Sequence, residues 1–219
     1  MFRYLIFLLA FLVAGGAYAS LRVERRDMKL ASQALLEKET YSTPVAADQN
    51  RILSAQATSA SVVTTVTSFL AQPDVCRQLV VDASNGTAAD VAHGAVTVTG
   101  TNARGQSMTE DFNFAANEGA LKTGAKAFCS VTSIEFDVQD GASATFDVGV
   151  NNTLGVKRCV DDAGSFAWFT YGGALEATRP TISADATAVE LNLLSGWNQN
   201  PDGSNDIQSY FVQNFRCLP

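Results

Sequence analysis

A single histidine, His93, stands in this chain of 219 residues, and none of its four cysteines falls in a Cys-x-x-Cys pair. Those two scarcities remove the common zinc and thioredoxin-type sites, which need clustered thiolates or imidazoles. A phosphate-cradling glycine loop is missing as well, and no nucleophile motif accompanies the histidine. Positive charge is scarce beyond the N-terminal quarter. Residues 1–57 hold seven Lys/Arg against five Asp/Glu and the remainder eight against seventeen, so balances of +2 and −9 sum to the formal −7. An acidic body without a basic stripe excludes nucleic acid as the partner. A chain with so few reactive groups is suited to presenting a surface rather than to catalysis.

What the sequence does have is β-type alternation. Apolar residues make up 47% of it, enough for a globular core. Candidate strands fall at 62–70, 77–82, 95–99, 107–115, 127–136, 144–148, 166–171, 181–183, 188–193 and 207–215. In the run 107–115, Met108, Phe112 and Phe114 supply the apolar side chains, and 100–106 is the turn before it. The breaks carry residues that turns require: Asp140-Gly141, Asn151-Asn152, Gly172-Gly173 and the stretch 198–205. Many short strands without long intervening helices predict an all-β domain over 58–219, an antiparallel β-sandwich of jelly-roll-like type.

Residues 20–57 read as a helical stalk and linker. Between 21 and 39 Ala, Leu, Glu, Lys, Arg, Met and Gln dominate, without Gly or Pro, which favours helix. Leu21, Met28 and Leu35 recur at seven-residue spacing, the pattern of a self-associating stalk, although three apolar positions equally suit packing on the protein's own body. Residues 40–58, with Pro44, read as a linker in which 47–57 has room for a helical turn or two.

Ahead of this, Arg3, an apolar core at 4–14 and Ala17-Tyr18-Ala19 make the three parts of a secretory signal spanning 1–19. The uncharged stretch 4–21 is also long enough for a retained anchor in contact with a membrane. Arg22, Arg25, Arg26 and Lys29 outnumber Arg3 and disagree with simple export, because positive flanks tend to stay cytoplasmic. Cys76, Cys129, Cys159 and Cys217 form two disulfides if the chain matures in an oxidising compartment, in any of three connectivities, or pack as four buried thiols if it does not.

A few side chains carry groups capable of chemistry. His93 sits in a loop before a strand. The carboxylates Glu110, Asp111, Glu135, Asp137 and Asp140 make a glycosidase pair only if the fold sets two across a cleft; the simpler expectation places them on outward strand positions and turns. Asp202 and Asp206 lie where a calcium loop supplies ligands, but Ser209 stands where that loop needs a bidentate Glu, so a plain turn is the competing reading. Trp168, Phe169 and Tyr171 share one run, with Trp197 beside the Asn-rich loop. Alternation sets Trp168 opposite Phe169 and Tyr171, so one face must be core.

The segments 64–79 (TTVTSFLAQPDVCRQL), 88–109 (AADVAHGAVTVTGTNARGQSMT), 124–136 (GAKAFCSVTSIEF), 145–155 (TFDVGVNNTLG) and 201–211 (PDGSNDIQSYF) together resemble structural proteins of tailed bacteriophages and prophages, over roughly 58–215. The apolar N-terminus departs from that group. The resemblance implies a non-enzymatic virion component, a head-decoration or head-fibre protein without a cofactor. Its partners would be other virion subunits, in a homo-oligomer with a trimer as first expectation. The alternative is an exported or membrane-anchored module that binds a glycan or surface protein.

Overall fold

Fourteen strands run through the described residues, 36–160 and 162–212 of the computed structural model, with three single-turn 3-10 helices between them. In chain order they are β1 (Leu36–Tyr41), β2 (Asp48–Ala57), β3 (Thr64–Val66), β4 (Arg77–Asp82), β5 (Gly94–Thr101), β6 (Ser107–Phe114) and β7 (Leu121–Phe128). The second half holds β8 (Ser130–Phe136), β9 (Thr145–Gly155), β10 (Phe166–Tyr171), β11 (Ala174–Leu175), β12 (Thr181–Ser183), β13 (Leu193–Ser195) and β14 (Ile207–Val212). Three sheets result: the β14 sheet in order β1-β14-β10-β11, the β9 sheet in order β12-β13-β9-β4-β7 with β2 also paired to β9, and the β5 sheet in order β3-β8-β5-β6. Every pairing whose register is defined is antiparallel. The described residues from Glu37 onward belong to one compact unit.

The β5–β6 hairpin shows how the sequence dictates local structure. Val96, Val98 and Gly100 alternate inward between half-exposed threonines, and Val96 pairs with Phe112 while Gly100 pairs with Met108. The turn closes because the Asn102 side-chain oxygen accepts the N–H groups of Arg104 and Gln106 at 2.9 and 3.1 Å. Gly105 supplies the left-handed φ of 72°, a region that costs a side-chain-bearing residue energy.

Two apolar clusters form. In the first, Leu79 and Val81 of β4 and Phe146, Val148 and Val150 of β9 meet Val98, Phe112, Ile134 and Phe136 of the β5 sheet. In the second, Leu154 of β9, Ile182 of β12 and Leu194 of β13 meet Tyr41, Phe166, Phe169, Ile207 and Phe211 of the β14 sheet. Each fully buried Leu, Val or Phe contributes about 1.5–3 kcal/mol relative to exposure. One strand, β9, serves both clusters.

The change-over within β9 is a bulge. Arg77 pairs with Leu154 but Leu79 pairs with Val150, so β9 carries two extra residues there. Their polar groups are met by side chains. Arg77, whose side chain is fully buried, donates from Nε to the Asn151 carbonyl at 2.9 Å and from Nη1 to the Val45 carbonyl at 2.8 Å. A 3.0 Å ion pair to Asp74 balances its charge. Asn151 in turn donates to the Gln78 side chain at 2.8 Å, and the Asn152 side chain accepts the Ala47 N–H at 2.9 Å.

A disulfide joins Cys76, just before β4, to Cys129, the residue between β7 and β8. It therefore ties the point where the chain leaves the β9 sheet for the β5 sheet to the start of a central strand. Cys159 is disulfide-bonded too, which removes the buried-thiol reading for these three; Cys217 lies outside the described residues.

Several expectations require correction. The helix expected to reach residue 39 gives way to β1, and the helical turns expected at 47–57 are β2. Helix propensity is a weak prior, and β2 instead gains backbone pairing with β9 through two bulges, with Ala55 at φ 47° in the second. The stalk positions Leu21, Met28 and Leu35, the signal or anchor at 1–19 and the stretch 4–21 lie outside the described residues.

The single strand expected at 127–136 is broken at Cys129, where the chain changes sheets. Asn151-Asn152 is the β9 bulge rather than a turn. Of 188–193, residues Val189–Leu191 form a 3-10 turn. There the fully buried Asn192 accepts the Val160 and Asp185 N–H groups and donates to the Ala188 carbonyl.

Candidate functional site

The chemistry-bearing residues do not converge. His93 is exposed between the 3-10 turn Ala88–Asp90 and β5. Asp111 and Glu135 flank Thr97 on the open outer face of the β5 sheet, both in register with it, and Asp111 accepts the Thr97 hydroxyl at 2.8 Å. Asp137 accepts the Ala95 N–H at 2.7 Å, and Asp140 is exposed in a turn. Asp202 and Asp206 direct their carboxylates to neighbouring chain. Asp202 accepts the N–H groups of Ser204 and Asn205 at 2.8 and 3.0 Å, and Asp206 accepts that of Thr43 at 3.0 Å. Among the described residues no three His, Cys, Asp or Glu are grouped to hold a metal.

Glu110 corrects the expectation of outward carboxylates. It is paired with Val98 and so points to the inner side of the sheet. There its carboxylate takes the Ala125 N–H of β7, an edge strand of the facing sheet. An inward charge that occupies an edge N–H discourages stray strand pairing. Burial pushes its pKa up, against the Ala125 and Lys126 backbone contacts that lower it. Glu39 of β1 is also buried, accepts the Lys157 N–H at 2.8 Å and sits 3.4 Å from the Arg158 Nε. Burial again dominates and raises its pKa. Asp202 is the reverse: hydrogen bonds from Ser204 and Asn205 hold it down to about 2.

The pH dependence follows. A carboxyl whose folded pKa is raised adds stability in full below its ordinary value of 4.5, and that stability is lost as pH climbs through the raised value. The depressed ones, Asp202, Asp185 and Glu118, add stability above their ordinary values of 3.8 and 4.5 that is lost as pH falls below them, towards about 2 for Asp202. Thermal midpoints are therefore expected to be highest at about pH 4–5, falling on the acid side through the depressed carboxyls and on the neutral side through Glu39 and Glu110. Glu39→Gln and Glu110→Gln should flatten the neutral-side slope. A midpoint that climbs steadily from acid to neutral pH contradicts this assignment.

The feature that stands out is the outer face of the β14 sheet. An extra residue at Ala167 shifts the β10–β14 register, so Phe166 faces the core while Trp168 turns outward, 39% exposed. Trp168 is opposite Tyr210, and their rings stack with centroids 4.9 Å apart at 27°. Leu175 of β11, in register with Thr170, is 71% exposed, and Val212 lies beyond Tyr210 on the same alternation of β14. Gln208 and Thr170 pair between them, and β1 exposes Lys38 and Thr40. Glu37, also exposed on β1, joins Lys38 as the charges that the strands of this sheet expose.

Behind this face Phe169 is buried, with Tyr171 and Trp197 partly buried against the same cluster. Of the four aromatics singled out from sequence, Trp168 alone reaches the surface set. Alternation in Ile207–Val212 was the available signal for Tyr210 and Val212. Leu175 carried none, because its direction depends on pairing with β10. No family model, curated protein or solved structure matches the chain.

Proposed function

We propose that this chain is a non-enzymatic structural subunit of a virion, of the capsid-decoration or fibre type, built on a jelly-roll-like sandwich and acting by assembly and display. The observation that carries the reading is the aromatic and aliphatic outer face of the β14 sheet, sparse in charge, on a chain whose formal charge is −7. Exposed apolar surface of this kind marks a contact site, and the resemblance over 58–215 points to virion subunits as what it contacts. The test is quantitative mass spectrometry of purified particles. A fixed copy number per particle is expected, and absence from washed particles defeats the reading.

A second reading is favoured by the disulfides. Cys76–Cys129 and the bonded Cys159 suit an oxidising compartment, hence an exported or membrane-anchored binding module. Secretion of the chain together with retention on a glycan array would support that module over the virion subunit.

A further inference from the structure

We infer that the outer face of the β14 sheet is an interface between copies of this chain, the partner being a second copy seated with its own β14 sheet. This rests on the assembly reading above and names the partner of the same face.

Charge selects the partner first. Residues 58–219 carry −9, so two copies repel one another over most approaches, and like charges brought together are costly. The β14 sheet is a side from which one acidic copy can meet another at little such cost, since the charges its strands expose are the oppositely signed neighbours Glu37 and Lys38. Composition selects next. Leu175 and Val212 are aliphatic and offer nothing to sugar hydroxyls, while Trp168 and Tyr210 cover part of each other's rings, leaving less free ring for a pyranose. Large apolar side chains in a nearly charge-free setting match the centre of a homodimer interface.

Size sets the strength. Three strands of six residues and the two-residue β11, spaced about 4.8 Å and rising about 3.3 Å per residue, give a face of roughly 300 Å². A stable interface uses about 800 Å² per partner, so this face alone holds two copies only weakly. The association expected of this face is accordingly weak and concentration-dependent.

The test uses the full-length chain in mild detergent. Native mass spectrometry and sedimentation are expected to show a concentration-dependent oligomer, weakened by about tenfold or more in a Trp168→Glu/Leu175→Asp variant. Because a charged variant can misfold, the second arm places a photo-crosslinking p-benzoylphenylalanine at Leu175, already solvent-facing, in an otherwise native chain. Crosslinks between copies are expected in peptides of β1, β10 and β14. A monomer at every concentration, association untouched by the charged pair, or crosslinks only to another molecule each overturns the inference. Particle incorporation separates it from the broader reading. The charged variant entering particles at normal copy number defeats copy pairing and leaves the virion role intact, whereas a self-associating chain absent from particles does the reverse.

Discussion

Replacing Cys76 and Cys129 together with alanine is expected to lower folding stability by about 4 kcal/mol. The two residues are 53 apart in sequence, and cross-linking a loop of that length removes roughly that much chain entropy from the unfolded state. For a domain of this size the loss corresponds to a fall of about 10 °C in thermal midpoint. The position adds a native-state reason. Cys129 is where β7 of one sheet hands over to β8 of another, and Cys76 precedes β4, which pairs with both β7 and β9. Denaturation in urea, with the double-alanine chain beside the wild type, measures the effect. Reductant applied to the wild type opens the bond at Cys159 as well, so its fall should be the larger of the two. A change below about 1 kcal/mol would mean that sheet packing alone holds this corner.

The second large effect is at Arg77. Arg77→Met should cost about 3–5 kcal/mol, the range for removing one member of a buried, hydrogen-bonded ion pair. Methionine fills much of the volume but leaves the Asn151 and Val45 carbonyls without their donor and Asp74 without its cation. An unmet buried acceptor carries a desolvation cost of about 1–3 kcal/mol. A double-mutant cycle with Asp74→Asn separates the pair from the carbonyl contacts. Most of the loss should persist in the Asp74→Asn background if the bulge carbonyls dominate, and should shrink sharply if the ion pair does. Near-neutral behaviour of Arg77→Met would show that β9 closes its bulge without this guanidinium.

How much of this was readable in advance depends on how local each element is. The β5–β6 hairpin was legible because Val-Thr alternation and the turn residues Asn102 and Gly105 act within twenty residues of one another. β10 and β12 were legible for the same reason. β2 was not: its buried Ile52 and Leu53 are adjacent, so bulging erased the alternation, and its partner β9 lies far along the chain. β7 lacks the β-branched and aromatic alternation of a strand over most of its length and becomes one because β4 offers it an edge. Asn151-Asn152 has turn chemistry, yet side chains of Arg77 and Gln78 absorb its polar groups and let the strand continue. For the candidate face, alternation set Trp168 opposite Phe169 and Tyr171, but which side faces outward is decided by the extra residue at Ala167 and the packing behind it. The exposure of Leu175 followed from tertiary pairing alone.

The bulge at Asn151 also bears on how the domain comes apart. Upstream residues of β9 are committed to one apolar cluster and Leu154 to the other, so pulling either cluster open strips backbone pairing from the other. The halves are thereby welded into a single melting unit despite having separate interiors. Neither half could be excised, swapped or inherited as a free-standing module without taking the shared strand with it.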